Sequence, residues 1–227
     1  MNNLKHIPDN VGLAFKLAQR FALQGADDLF VQQFNRLLAS GDYAGAARVA
    51  GGAPGTLLRN QETINKFKNL PQTGGPHPIL VYFSTLLETC VLNDQETIEL
   101  GKIVLPQGKI NLIQDWIKQG KLTLTDAFGD LVGQFDKSTS LAIFQQSGSP
   151  DKVLQGLIET GKFDQIMPYC QRMNHTADFI KILRGVLPVN PKAAVDLAKM
   201  ITSREGNNAP KAQIDQVVQV FLEQHKV

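Results

Sequence analysis

Three of the Gly-Lys pairs, Gly108-Lys109, Gly120-Lys121 and Gly161-Lys162, are the first places to look for chemistry, because a glycine turn beside a lysine can hold a phosphate. A phosphate cradle also needs an upstream glycine, a following Ser or Thr and a preceding strand. None of the three is followed by Ser or Thr. As turns that close one helix before the next, they need no ligand. The run Gly51-Gly52-Ala53-Pro54-Gly55 reads the same way, as a turn after a small-residue helix over Ala44 to Ala50.

The histidines, His6, His77, His175 and His225, are scattered, and no two stand at the i, i+4 spacing with the glutamate of a zinc protease. Cys170 and His175 are five positions apart and could form a nucleophile and its base. Cys170, however, falls in line with Ile166, Tyr169 and Met173 on an amphipathic stretch, which reads as packing. Cys90 reads as a helix-end residue. The paired acids Asp27-Asp28 fall in a first helical turn, where the helix dipole favours negative charge, and Glu96 with Glu99 form a second acidic pair. Trp116, beside Leu112 and Ile113 at helical spacing, reads as a packing residue. Asn174-His175-Thr176 matches a glycosylation sequon in a chain that shows no secretory signal. The reading therefore assigns no catalytic, cofactor-binding or metal-binding residue and no cofactor, and expects no enzyme.

The elements that would position such residues are helical. Of 227 residues, 43% are hydrophobic and 19% charged, the composition of a globular chain. A net charge of +2, with no basic cluster, argues against nucleic acid as a partner. Cys90 and Cys170 make neither a CxxC pair nor a disulfide framework, which suits a reducing compartment. The longest apolar run, Ile79 to Phe83, is far short of the about 18 residues that suggest a membrane span.

Apolar residues recur every three to four positions: Leu13, Leu17 and Phe21; Phe30, Phe34, Leu37 and Leu38; Ile110, Ile113 and Ile117; Phe179, Ile182, Leu183, Val186 and Leu187; Ile214, Val217, Val218, Phe221 and Leu222. Ser149-Pro150 and Asn190-Pro191 predict helix starts, Asn93 with Glu96 a capping box, and Gly25, Gly41, Gly120 and Gly161 left-handed helix stops. Pro71 to Pro78 is a loop, and Ser203 to Asn208 a polar gap between the last two helices. A turn pattern of a polar residue, Gly, a charged residue and a large apolar one recurs at Gly41, Gly120 and Gly161, at intervals of 79 and 41 residues. These intervals approximate two units and one unit of a stacked helix pair. The fold class predicted is all-α: an α-solenoid of short stacked helix pairs.

The residues themselves point to a family. Leu13-Ala14-Phe15-Lys16-Leu17-Ala18-Gln19-Arg20, Gly25-Ala26-Asp27-Asp28-Leu29-Phe30, Gly41-Asp42-Tyr43, Ala46-Ala47-Arg48-Val49-Ala50 and Glu62-Thr63-Ile64 resemble clathrin heavy chain just after its N-terminal propeller. Tyr82-Phe83, Gln107-Gly108-Lys109, Trp116-Ile117-Lys118, Gly129-Asp130-Leu131-Val132, Glu159-Thr160-Gly161-Lys162-Phe163 and Ile214-Asp215-Gln216-Val217-Val218 follow in the family's order. Cys90, where a turn glycine is expected, and the Gly74 to Pro78 loop depart from the pattern.

The resemblance implies a helical linker or ankle zigzag over 1–150, with the loop at 71–78, and the start of a distal leg over 151–227, continuous with the first part. It implies a load-carrying leg joining an adaptor-binding propeller to the rest of the triskelion in endocytosis and intracellular transport. The implied place is the cytoplasm, at the cytosolic face of coated pits and coated vesicles. The implied partners are other heavy chains in the coat lattice and adaptor proteins at the ankle. Light-chain and peptide-box adaptor sites would lie outside this segment, which is expected to be monomeric and to meet membrane only through adaptors. Two rival readings are a helical-repeat adaptor gripping a peptide or partner helix in a groove, and a hydrolase built on Cys170 and His175.

Overall fold

The computed structural model describes residues 27–72, 74–203 and 211–224. These residues form thirteen α-helices, two 3-10 turns and no strand. The helices are α1 (Asp27–Ala39), α2 (Tyr43–Gly52), α3 (Gln61–Asn69), α4 (Pro78–Thr89), α5 (Asp94–Val104), α6 (Ile110–Lys118), α7 (Asp126–Gly133), α8 (Lys137–Ser147), α9 (Pro150–Glu159), α10 (Ile166–Met173), α11 (Phe179–Val186), α12 (Pro191–Thr202) and α13 (Ile214–Gln224). The all-α expectation holds. The predicted stripe Leu13, Leu17, Phe21 and the stop at Gly25 lie outside the described residues.

The chain divides into two compact units, one running to Thr123 and the other beginning at Leu124. In the first, α2 packs on α1 and α4, α3 on α4 and α5, and α5 on α6. In the second, α8 lies between α7 and α9, and α11 meets α9, α12 and α13. Within each unit the partners are near in sequence, the arrangement of stacked helical repeats.

Helices as short as eight to thirteen residues are marginal alone, so burial of the apolar stripe must hold them. In the first unit the stripe is aromatic. The Phe67 ring lies 6.1 Å edge-on from Phe34 and 4.6 Å from Tyr82, and Tyr82 meets Phe83 at 5.4 Å. In the second unit the core is aliphatic, with Val153, Leu157, Ile166, Leu183, Val186 and Ile201 buried together.

The ends follow their capping chemistry. Asp42, Asn60, Thr125, Asp136, Asp178 and Asn190 each accept a backbone N–H three residues on. Gly41, Gly120 and Gly161 all take positive φ. In each turn the glycine N–H reaches the carbonyl three residues back, at 3.0–3.2 Å, and the next N–H reaches the fifth back, at 2.9–3.0 Å. The recurring sequence pattern is thus a recurring left-handed cap.

Four expectations are corrected. Gly51 and Gly52 belong to α2, which ends at Gly52 with the extended Ala53 as its cap, and Gly51 is where Leu86 and Thr89 press closest. Pro78 is the first residue of α4 and not the last of the loop. Ser149 precedes α9 but makes no cap; its hydroxyl donates to Asp126. Met173, placed in the Cys170 stripe by spacing, is 47% exposed, since α10 ends there at the left-handed Asn174.

Candidate functional site

The most concentrated chemistry is a buried carboxylate in the first unit. Asn93 caps α5 and Glu96 answers it: Asn93 Oδ1 accepts from the Glu96 N–H at 3.0 Å, and Glu96 Oε2 accepts from the Asn93 N–H at 2.9 Å. The first turn of α5 faces α3 and α4, so the same side chain is driven inward, and Glu96 has no exposed area.

An isolated carboxylate there would be very costly. Four donors meet it. Oε1 accepts from Arg59 Nε at 3.0 Å and from the Tyr82 phenol at 2.8 Å. Oε2 accepts from a terminal nitrogen of Arg59 as well as from Asn93. The bond to Glu96 raises the pKa of Arg59, against the lowering effect of burial. Burial, followed by the neighbouring carboxylate, pushes the Tyr82 phenol far up, so it acts only as a donor.

The turn that carries Glu96 also gathers two other connections. Arg59 donates to the Val91 carbonyl at 2.6 Å, and Asn93 Nδ2 donates to the Arg59 carbonyl at 3.0 Å. On its other side, Leu92 N–H donates to Lys121 O at 2.9 Å and Thr123 N–H donates to Leu92 O at 3.1 Å, an isolated parallel bridge. The Thr123 and Thr97 hydroxyls also donate to Leu92 O. One turn therefore holds the segments before α3 and after α6. Beside it, Lys68 and Lys102 both donate to the nearly buried Glu99.

Nothing in this cluster suggests turnover. The carboxylate is saturated with donors and sealed from solvent, so it offers no lone pair and no access to a substrate. Cys170 and His175 fare no better. Cys170 is buried among Ile166, Tyr169 and Phe179, and burial pushes its thiol up, the reverse of an activated nucleophile. His175 Nε2 pairs instead with Asp151 at 3.3 Å. Cys90 caps the end of α4, as its place in the sequence implies. Trp116 is half-buried on α6. Among the described residues no cluster of His, Cys, Asp or Glu could hold a metal ion, and no helix is long and apolar enough to cross a membrane.

The Glu96 hub is absent from the sequence reading, where Glu96 stands only in a capping box with Asn93 and in an acidic pair with Glu99. A signal existed. Arg59 follows Leu57-Leu58 and Tyr82 sits inside the run Ile79 to Phe83, so each polar group is drawn into the core and needs a partner there.

What the geometry defines is a scaffold: stacked helices whose polar groups are spent on holding their own turns. Comparison with known proteins says which scaffold. Residues 22–86 match the Clathrin-H-link family. The chain is 39% identical over 224 residues to human clathrin heavy chain 2, covering 98% of this chain and 14% of that protein. Identity is 40% over 220 residues with clathrin heavy chain of Drosophila melanogaster and 37% over 217 with the probable clathrin heavy chain of Schizosaccharomyces pombe. In both cases about 95% of this chain and 13% of the relative are covered. This is a clathrin heavy chain relative along nearly its whole length, and it spans about one-seventh of the length of the curated relatives it matches.

Proposed function

We propose that this chain is a structural segment of a vesicle coat, a load-carrying helical leg in a clathrin-like heavy chain that serves endocytosis and intracellular transport. The observation that carries the reading is continuity: similarity to heavy chains extends over 98% of the sequence and so takes in both units. The helical build supports it. The helices bury apolar side chains against near neighbours, so the chain's function is the shape it holds and the polar ridges it exposes.

On this reading residues 1–150 belong to the linker or ankle and 151–227 to the start of the distal leg. The partners are other heavy chains in the lattice, held by many weak contacts whose sum is cohesive and still reversible. Adaptors at the ankle are the finer part of the same proposal. The place of action is the cytoplasm, on the cytosolic face of coated pits and vesicles, and the segment is not an enzyme.

The test uses a full-length heavy chain carrying this segment with the exposed cations Arg48, Lys118, Lys162 and Lys181 reversed to Glu. Cages assembled in vitro are then sized by electron microscopy. Defective or misshapen cages from a normally folded chain are expected. Closed cages of unchanged size and yield would overturn the lattice role of these ridges.

A further inference from the structure

Loops are ordinarily the first parts of a fold to open, because their few contacts release one at a time. The connections around Glu96 are built differently. Segments 57–60 and 91–97 share one fully buried carboxylate, through Arg59 Nε, the Asn93 N–H and the helix-borne Tyr82 phenol. If either segment lifts away alone, a buried charge is left short of donors, which costs far more than a lost loop contact. Segment 121–123 is tied to the same turn one residue before Asn93, where Leu92 exchanges two backbone hydrogen bonds with Lys121 and Thr123. Peeling it off strips the Leu92 carbonyl of the Thr123 N–H and hydroxyl together.

We infer that Glu96 is the key of a register lock: segments 57–60, 91–97 and 121–123 open together or not at all. The stretch from segment 57–60 to segment 121–123 then yields to force as one body and not helix by helix. The lock contributes uniqueness of register more than net stability, since a buried ion pair of this kind is commonly replaceable by apolar groups of similar volume. Its mechanical consequence rests on the coat-leg reading above; the joint opening does not.

Native-state hydrogen exchange on the 227-residue chain in low denaturant tests it. In the unaltered protein the amides of Leu92, Asn93 and Thr123 are expected to exchange through one common opening. In the triple variant Arg59→Met, Tyr82→Phe, Glu96→Leu, the thermal midpoint should stay within a few degrees or rise. Those three amides should nevertheless exchange at least ~10-fold faster than the mid-helix amides of α4. The proposal is overturned if the three amides already exchange independently in the unaltered protein, or still move as one group in the triple variant. Should the triple variant not fold, Tyr82→Phe alone serves. It removes one of four donors, and the Asn93 and Thr123 amides should quicken together by ~10-fold; an unchanged Asn93 amide overturns the lock. A cage-assembly failure with the lock intact would count against the coat role alone.

Discussion

Tyr82 and Glu96 are fourteen positions apart, both are shut off from solvent, and the phenol of one donates to the carboxylate of the other at 2.8 Å. The Tyr82 ring stacks in the aromatic core against Phe67 while its hydroxyl reaches the polar hub. One side chain thus joins the apolar and polar halves of the first unit. Glu96→Ala strands the guanidinium of Arg59 and the phenol together, and should cost about 3–5 kcal/mol. Tyr82→Phe keeps the ring and should cost about 1.5 kcal/mol. Equilibrium denaturation followed by circular dichroism measures both; equal losses would deny the special place of the carboxylate.

Glu99, one helical turn along α5, makes stability depend on pH. Burial would raise its pKa, but hydrogen bonds from Lys102 and Lys68 outweigh that effect and hold the carboxyl below the usual range. A depressed folded-state value means that the contribution is complete above the unfolded pKa of about 4.3 and is lost as the pH falls through the lower folded value. Stability should therefore drop as the pH falls below about 4.3 and on through the lower folded-state value. Glu99→Gln should flatten part of that slope, and Lys68→Met should flatten less, because Lys102 remains. Thermal midpoints taken across this range decide it. A slope unchanged by Glu99→Gln would place the titration elsewhere.

How much of this was readable in advance follows from how local each interaction is. The Gly41, Gly120 and Gly161 caps, the Asn93–Glu96 box and the start of α12 at Asn190-Pro191 depend on residues within five positions, and they are written plainly in the chain. Ser149-Pro150 shows the limit. The dipeptide marks the start of α9 correctly, yet its hydroxyl is taken by Asp126, 23 residues away, and no local rule reports such a competitor. The hub is further out of reach, since Arg59 and Glu96 lie 37 positions apart and meet only through the packing of α3 on α5. In α13 the periodicity gave the helix but not its face. Val217 and Val220 are buried, whereas Ile214, Val218 and Leu222 are exposed, with Ile214 at 63%.

Glycines separate the local effects from the long-range ones. Gly41 has φ +78° and open space around it, so Gly41→Ala should cost only the left-handed strain, about 1 kcal/mol. Gly129 has helical φ, and the sequence offers no reason for it. A Cβ there would lie 2.3 Å from the Phe144 ring where α7 crosses α8. Gly129→Ala should therefore cost about 2–3 kcal/mol, despite alanine's better helix propensity, and should move Phe144. Side-chain NMR shifts of Phe144, read alongside denaturation midpoints, distinguish the two. If the Gly41 variant proved the weaker, crowding between α7 and α8 would not be what fixes Gly129.

The two thiols provide a direct test of whether any nucleophile is present. Cys90 is half-buried at the end of α4, beside Gly51, whereas Cys170 is 3% exposed in the core of the second unit. Burial pushes the Cys170 thiol up more than nearby Lys211 pulls it down, and a thiol held protonated reacts slowly. At pH 7.5 an aromatic disulfide reagent should modify one equivalent of thiol readily, at Cys90, and reach Cys170 only at the rate of unfolding. Cys170→Ala should cost about 1 kcal/mol through lost packing and leave the Cys90 rate untouched. Rapid modification of Cys170 in the folded chain, slowed by His175→Ala, would revive the hydrolase reading and remove the packing role assigned to α10.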